Sequence, residues 1–222
     1  MTAAFLLVVT TGACATRTLT AGEAALLAPL HGGTLDIGRV RLSEAPIVGA
    51  FPITYDARPP VTCRERIAPP RTGRVETRAA GIALFNRILL DPLIARPDYA
   101  AEKAPLDLAS AMFLVHEATH VWQWQNRART GYSPLRAFTE QLRADDPYLF
   151  ALDGRPFLTH GYEQQASLVE EYLCCATLDP AGARTDRLHA LLSAELPVAR
   201  PEAFQREVVL PWGGAEIDGI CD

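Results

Sequence analysis

Between Pro105 and Gly131 the chain runs through a long apolar stretch of helical periodicity, with His116-Glu117-Ala118-Thr119-His120 at its middle. Leu108, Met112, Val115, Thr119 and Trp122 fall on one stripe of that helix. Leu114, Ala118 and Val121 fall on another, and Phe113 and Trp124 flank the motif. A helix apolar on nearly all sides is buried and central, so the fold must be built around this segment. Pro105 suits its first turn, where no amide donor is needed, and Asp107 complements the positive end of the dipole. Arg127 and Arg129 fall in the last turn, and Gly131 suits the C-terminal cap. Two histidines and a glutamate in the dry middle of such a helix need a reason, because buried polar groups without partners are costly. A bound cation supplies one.

Side chains four residues apart lie one turn above each other. His116 and His120 can therefore reach one ion, and Glu117 can touch a water there without binding the ion itself. The chain has five histidines in all, so this pair concentrates a scarce residue. The plain alternative is a coincidental match on a core or surface helix. Catalytic zinc usually takes three protein ligands and keeps one open position. The extended form H-E-x-x-H-x-x-G-x-x-H is absent, since Gln123 stands at its glycine and Asn126 at its third histidine.

The third ligand must come from elsewhere, and His160, His189 and several acids are candidates. Helical phasing of the segment from Gly161 to Leu173 gives a core face of Leu168, Val169, Tyr172, Leu173 and Ala176. The other face holds Glu163, Ala166, Ser167, Glu170 and Cys174, two acids with small residues between them that let another helix approach. Glu163 is the favoured ligand. Glu170 is the runner-up, or else an acceptor that orients a histidine. Glu171 reads as part of a solvated acidic face.

These residues carry a resemblance. His116 to Gln125 (HEATHVWQWQ) and Tyr162 to Val169 (YEQQASLV) resemble a bacterial family of Vgr-related zinc metallopeptidases, found near contractile injection systems. Arg17 to Glu23 and Ile37 to Arg41 look like that family's opening helix and first strand, so the resemblance spans roughly residues 17 to 175. More broadly the pattern is that of gluzincins, with a glutamate in E-x-x-A downstream of H-E-x-x-H. The resemblance implies a zincin-like peptidase fold, His116, His120 and Glu163 as zinc ligands, and Glu117 as the base. One departure stands out: related peptidases often carry an acid after E-x-x-A, where this chain has Ser167.

At 222 residues the chain is one domain or one domain with appendages, and its net charge of −5 gives no electrostatic case for nucleic acid. The apolar run Ala3 to Val9 is too short to span a bilayer. Followed by Thr10-Thr11-Gly12-Ala13-Cys14, it reads as a lipoprotein signal over residues 1–14. Cys14 is then the acylated residue and the only membrane link, in a protein of the cell envelope facing the periplasm. A buried N-terminal strand in a cytoplasmic protein is the alternative. Cys63, Cys174, Cys175 and Cys221 fit two disulfides in an oxidising compartment, with three connectivities open. Adjacent Cys174 and Cys175 point to different sides of their helix, so one can reach Cys63 and the other Cys221. Free thiols in a reduced protein are the alternative.

The remaining signals predict an α+β fold, mainly helical with a small sheet bordering the motif helix. A capping box opens a helix at Thr20-Ala21-Gly22-Glu23, running to about Leu30. Residues 34 to 42 read as a strand, 52 to 72 as an irregular surface loop, and 74 to 90 as two strands around Ala79-Ala80-Gly81. In zincin-like enzymes the second such strand borders the cleft and holds an extended peptide by β-addition. Residues 132 to 160 form a long aromatic-rich connection, Arg184 to Leu196 a further helix. Residues 15–196 thus form the metallopeptidase domain, and 197–222 a tail packed on it.

The expected function is zinc-dependent hydrolysis of a peptide or protein substrate, with Glu117 as general base for a zinc-activated water. Tyr162, His160 and His189 are candidates for helping an oxyanion, though each can equally be structural. The rival is a zinc-stabilised binding or assembly module of a secretion or envelope system that cleaves nothing.

Overall fold

The computed structural model describes residues 16–222; the expected signal segment and the expected acylation at Cys14 lie outside the described residues. The fold is α+β. After β1 (Thr16–Arg17), α1 (Ala21–His31) opens on the reciprocal cap its sequence predicts. Glu23 N donates to Thr20 Oγ1 at 3.1 Å, and Thr20 N donates to the Glu23 carboxylate at 2.9 Å.

Residues 34 to 42 do not form the expected strand. They make 3-10 turns over Gly32–Thr34 and Ile37–Arg39, and β2 (Arg41–Glu44) begins only then. The reason lies on the motif helix. The Gln125 amide accepts from Asp36 N at 2.7 Å and donates to Asp36 O at 3.1 Å, so a side chain takes the groups a ladder would use. The expected loop over 52 to 72 likewise contains structure. β3 (Pro52–Asp56) is followed by α2 (Cys63–Ile67), which starts from a second capping box, Thr62 with Glu65. β3 pairs antiparallel with β4 (Arg74–Arg78).

Beyond β4 there are two strands where one was expected, β5 (Gly81–Leu84) and β6 (Arg87–Leu90). The chain reverses at Phe85, which takes φ 59° with its ring edge-on to Trp124 at 4.7 Å. That contact holds a bulky residue in a region usually left to glycine. The main sheet runs β1-β2-β6-β5, with β2 and β6 parallel and the other neighbours antiparallel. Among the described residues, nothing pairs with the outer side of β5.

β7 (Leu106–Asp107) pairs parallel with β8 (Val208–Val209). This keeps the chain extended through Asp107, so α3 (Leu108–Gln125) begins later than Pro105. Asp107 is its N-cap, accepting from Ser110 N at 3.0 Å. α3 ends at Asn126, and Arg127 and Arg129 belong to a short α4 (Arg127–Thr130), closed by Gly131 at φ 69°. The connection that follows holds α5 (Pro134–Arg143). α6 (Tyr162–Leu178) packs along α3, and α7 (Ala183–Ser193) packs on α6.

Leu108, Met112, Leu114, Val115, Val121 and Trp122 of α3 meet Leu168, Val169, Tyr172 and Leu173 of α6 in one buried core. The last stretch of chain supplies β8, a buried Phe204 and Cys221. Cystines join Cys63 to Cys174 and Cys175 to Cys221, so the adjacent pair on α6 reaches two distant segments. Among the described residues, no helix is long and apolar enough to cross a membrane.

Candidate metal centre

α3 and α6 pack closely against each other, with Ala166 fully buried on α6 between Glu163 and Glu170. The close approach brings the first turn of α6 against the middle of α3. His116 and His120 lie one helical turn apart on α3, and Glu163 faces both from α6. Glu163 Oε2 is 3.1 Å from His116 Nε2 and 3.2 Å from His120 Nε2, and the two Nε2 atoms are 3.3 Å apart.

Each imidazole is oriented from behind. His116 Nδ1 lies 3.0 Å from Glu170 Oε2, and His120 Nδ1 lies 2.9 Å from Gln123 Oε1. The Gln123 amide is itself fixed, because its nitrogen donates to Tyr162 O and to Gln165 Oε1, both at 3.0 Å. With acceptors behind both Nδ1 atoms, the ring protons sit there. The two Nε2 atoms and a Glu163 oxygen converge on one point.

Three such atoms at that spacing repel unless a proton or a cation joins them. Burial pushes the His116 imidazole down, yet hydrogen bonds to Glu163 and Glu170 and their charges outweigh it and hold His116 up at about 10. His120 is also raised against burial, by the Glu163 charge and hydrogen bond. Burial would raise Glu163, but His120 and His116 pull it well below the ordinary carboxylate range. The cluster is one that could hold a metal ion. These three residues offer ligand atoms that all lie within 4.8 Å of one another. The sulfurs of Cys63, Cys175 and Cys221 are also close together, but the cystines occupy them.

Glu117 stands beside the cluster. It is 7% exposed, and its Oε2 has no hydrogen-bond partner among the described residues. Burial raises its carboxyl above the ordinary value, although His120 and His116 oppose the shift. The edge strand passes directly over it: a Cβ built on Gly81 would sit 3.0 Å from Glu117 Cδ and 2.7 Å from Phe113 Cζ. Only a residue without a side chain lets β5 lie so close to this carboxylate.

The other expected residues are placed less uniformly. Glu170 is an acceptor on the far nitrogen of His116 and does not face the point between the Nε2 atoms. Tyr162 stands one ring back, edge-on to Tyr132 at 5.1 Å. His160 is buried with Arg155 and Asp153 as its charged neighbours, and His189 packs on the core face of α6 against Tyr172. Glu171 is not solvated: it is 2% exposed, accepting from Arg184 Nε at 2.7 Å and Cys63 N at 2.9 Å.

Four residues at the site were not singled out from the sequence. Tyr132 stacks on His120 at 6.2 Å and Tyr148 lies against His116 at 5.9 Å between ring centroids. Burial, then the Glu163 and Glu117 charges, push both phenols well above their ordinary value, so both keep their protons. Gln123 and Arg64 are the others. Gln123 had a signal in its spacing, three residues beyond His120 on the same helix face. The two tyrosines and Arg64 come from segments whose position only the fold reveals.

No protein-family model matches the chain, and no curated protein matches it. Its structure is similar to the effector domain of Pseudomonas aeruginosa VgrG2b, with a TM-score of 0.50 and 21% sequence identity over 82% of this chain and 84% of that chain. At that identity the likeness speaks for the fold.

Proposed function

We propose that this chain is a zinc-dependent peptidase of gluzincin-like architecture. One observation carries the reading: the three ligand atoms of His116, His120 and Glu163 are separated by 3.1, 3.2 and 3.3 Å. Bonds of ~2.0–2.1 Å at a tetrahedral angle require separations of roughly 3.3–3.4 Å between ligand atoms. The two imidazoles and the carboxylate thus fit zinc without rearrangement. When bound, zinc polarises a scissile carbonyl and acidifies a water.

The chain's own residues would do the rest. Glu117 has a free buried oxygen and a raised carboxyl, which suits a base that must take a proton near neutral pH and return it to a leaving amine. Glu163, held ionised by the imidazoles, stays a ligand and not an acid. The open edge of β5 runs past Glu117 and offers backbone groups to an extended peptide. Tyr132 and Tyr148, both protonated, are donors placed to meet a developing oxyanion. The two cystines support an oxidising compartment, and we place the protein in the cell envelope, with Cys14 as its lipid anchor.

A zinc-stabilised binding or assembly module is the second reading. Enclosure of the site favours it, since His116 is 7% and His120 5% exposed. Metal analysis and Glu117→Gln separate the cases. One zinc per chain is expected, lost in the His116→Ala, His120→Ala double variant. Glu117→Gln should keep zinc and fold while cleavage of denatured casein falls by ~10²–10⁴-fold. Stoichiometric zinc in the double variant removes the site. Confirmed zinc with no cleavage by the unaltered protein, across broad peptide mixtures, moves the conclusion to the module.

A further inference from the structure

Glu163, Ser167, Glu170 and Cys174 form one stripe of α6, and all four are at most 9% exposed. One turn after Glu163 the stripe holds Ser167. Its Oγ is buried and has no hydrogen-bond partner among the described residues. The acceptor behind His116 comes from the next turn, from Glu170. A longer side chain reaching back from a later turn has more rotatable bonds to fix, and one contact to an imidazole does not fix them.

A second hold is present. Arg64 Nη1 lies 3.3 Å from Glu170 Oε1 and 3.4 Å from Oε2, so one guanidinium nitrogen bridges both carboxylate oxygens. Arg64 also lies over the Tyr148 ring at 5.9 Å, the same ring that lies against His116. It sits on the five-residue α2, too short to hold its own position. α2 is instead fastened to α6 through the residue next to Arg64. Cys63 is bonded to Cys174, one turn beyond Glu170, and Cys63 N donates to Glu171.

We propose that Arg64 is a positioning residue for the metal centre: seated by the Cys63–Cys174 cystine, it fixes Glu170 against His116 Nδ1 and so aims His116 Nε2 at the metal. The proposal rests on the reading of His116, His120 and Glu163 as a zinc site. With Arg64 on its oxygens, the Glu170 carboxylate accepts from His116 Nδ1 and leaves Nε2 facing Glu163.

The test measures zinc affinity by competition with a chromophoric chelator, in the full chain. Arg64→Met keeps a stem against Tyr148 and removes the charge; it should weaken zinc binding by ~10–100-fold, the size typical of losing such an outer partner. Arg64→Lys should restore most of that loss. Nitrogen chemical shifts of the zinc-loaded protein should show His116 protonated on Nδ1 and bound through Nε2, with the two nitrogens less distinct in Arg64→Met. Removing the cystine with Cys63→Ser and Cys174→Ser should reproduce the affinity loss. Equal zinc affinity in Arg64→Met and the unaltered protein would overturn the proposal. Equal losses in the Met and Lys variants with unchanged His116 shifts would overturn it too, by tracing the effect to packing. Absence of zinc binding in the unaltered protein is a different result, and it removes the metal site itself.

Discussion

Gly81→Ala tests whether the edge strand works with Glu117. Gly81 is not among the residues with positive φ, so alanine suits the backbone and the perturbation is steric. The added methyl would meet Phe113 Cζ at 2.7 Å and Glu117 Cδ at 3.0 Å. Ordinary carbon contacts lie at ~3.5–4.0 Å, so the strand and helix must separate by up to about 1 Å or the Phe113 ring must turn. Overpacking of this kind costs about 1–3 kcal/mol, and for a domain of this size each kcal/mol lowers Tm by roughly 2–4 °C. The larger effect is on chemistry. A peptide held on β5 is carried away from Glu117, and a misplacement of ~1 Å can cost ~10²-fold in rate. The assay is peptide hydrolysis together with zinc content and thermal unfolding. Retained zinc, a modest fall in Tm and a rate down about a hundredfold is the expected result. An unchanged rate with a lowered Tm would refute the role of β5 in placing substrate.

Two further outcomes concern stability. His31 is fully buried, contacts the motif residue Thr119 at 3.1 Å, and burial holds its imidazole down at about 4. The native state therefore keeps His31 neutral while the unfolded chain protonates near 6.5; its contribution is intact above that pH and fades as pH falls towards 4, by about 3 kcal/mol in all. Urea unfolding between pH 7 and 4 should show this slope, and it should flatten in His31→Leu. Removing the Cys175–Cys221 cystine, which closes a separation of 46 residues, should cost about 4 kcal/mol on the loop-entropy estimate. An unchanged urea midpoint in the Cys175→Ala, Cys221→Ala variant would count against it.

How much of this was legible depended on how local each determinant is. The motif on α3 is written in residues one and four apart, and the Thr20–Glu23 cap in residues three apart, so both could be read directly. Glu163 was legible through the phasing of α6, a pattern within one helix. The failures involve partners far along the chain. Residues 34 to 42 alternate like a strand, but Gln125 occupies the backbone of Asp36 across 89 residues. Glu171 looks solvated until Arg184 and Cys63 are brought to it. Arg64 meets Glu170 across 106 residues. The Thr62–Glu65 cap was a local signal, obscured by the surrounding prolines and arginines. The turn at Phe85 carried only Asn86 as a signal, because an aromatic contact to Trp124 accompanies the positive φ at Phe85.

The charge balance of the centre leads to one more measurement. Glu117, Glu163 and Glu170 are three buried carboxylates within one cluster, and Arg64 is the guanidinium that meets it. With both imidazoles neutral, two negative charges remain uncompensated, an arrangement a buried site does not tolerate. Either protons or a divalent cation must make up the difference. The raised His116, His120 and Glu117 all draw protons towards the same place. Zinc needs the Nε2 lone pair of His116, so binding at neutral pH must expel the proton that His116 holds up to about 10. Apparent zinc affinity should therefore rise by at least about tenfold per pH unit from pH 6 to 8, with one or more protons released per zinc. Calorimetry in buffers of different ionisation enthalpy counts those protons directly. A flat affinity profile with no proton release would mean that the imidazoles are already free of protons, and that the cluster is neutralised by something other than the cation it is proposed to bind.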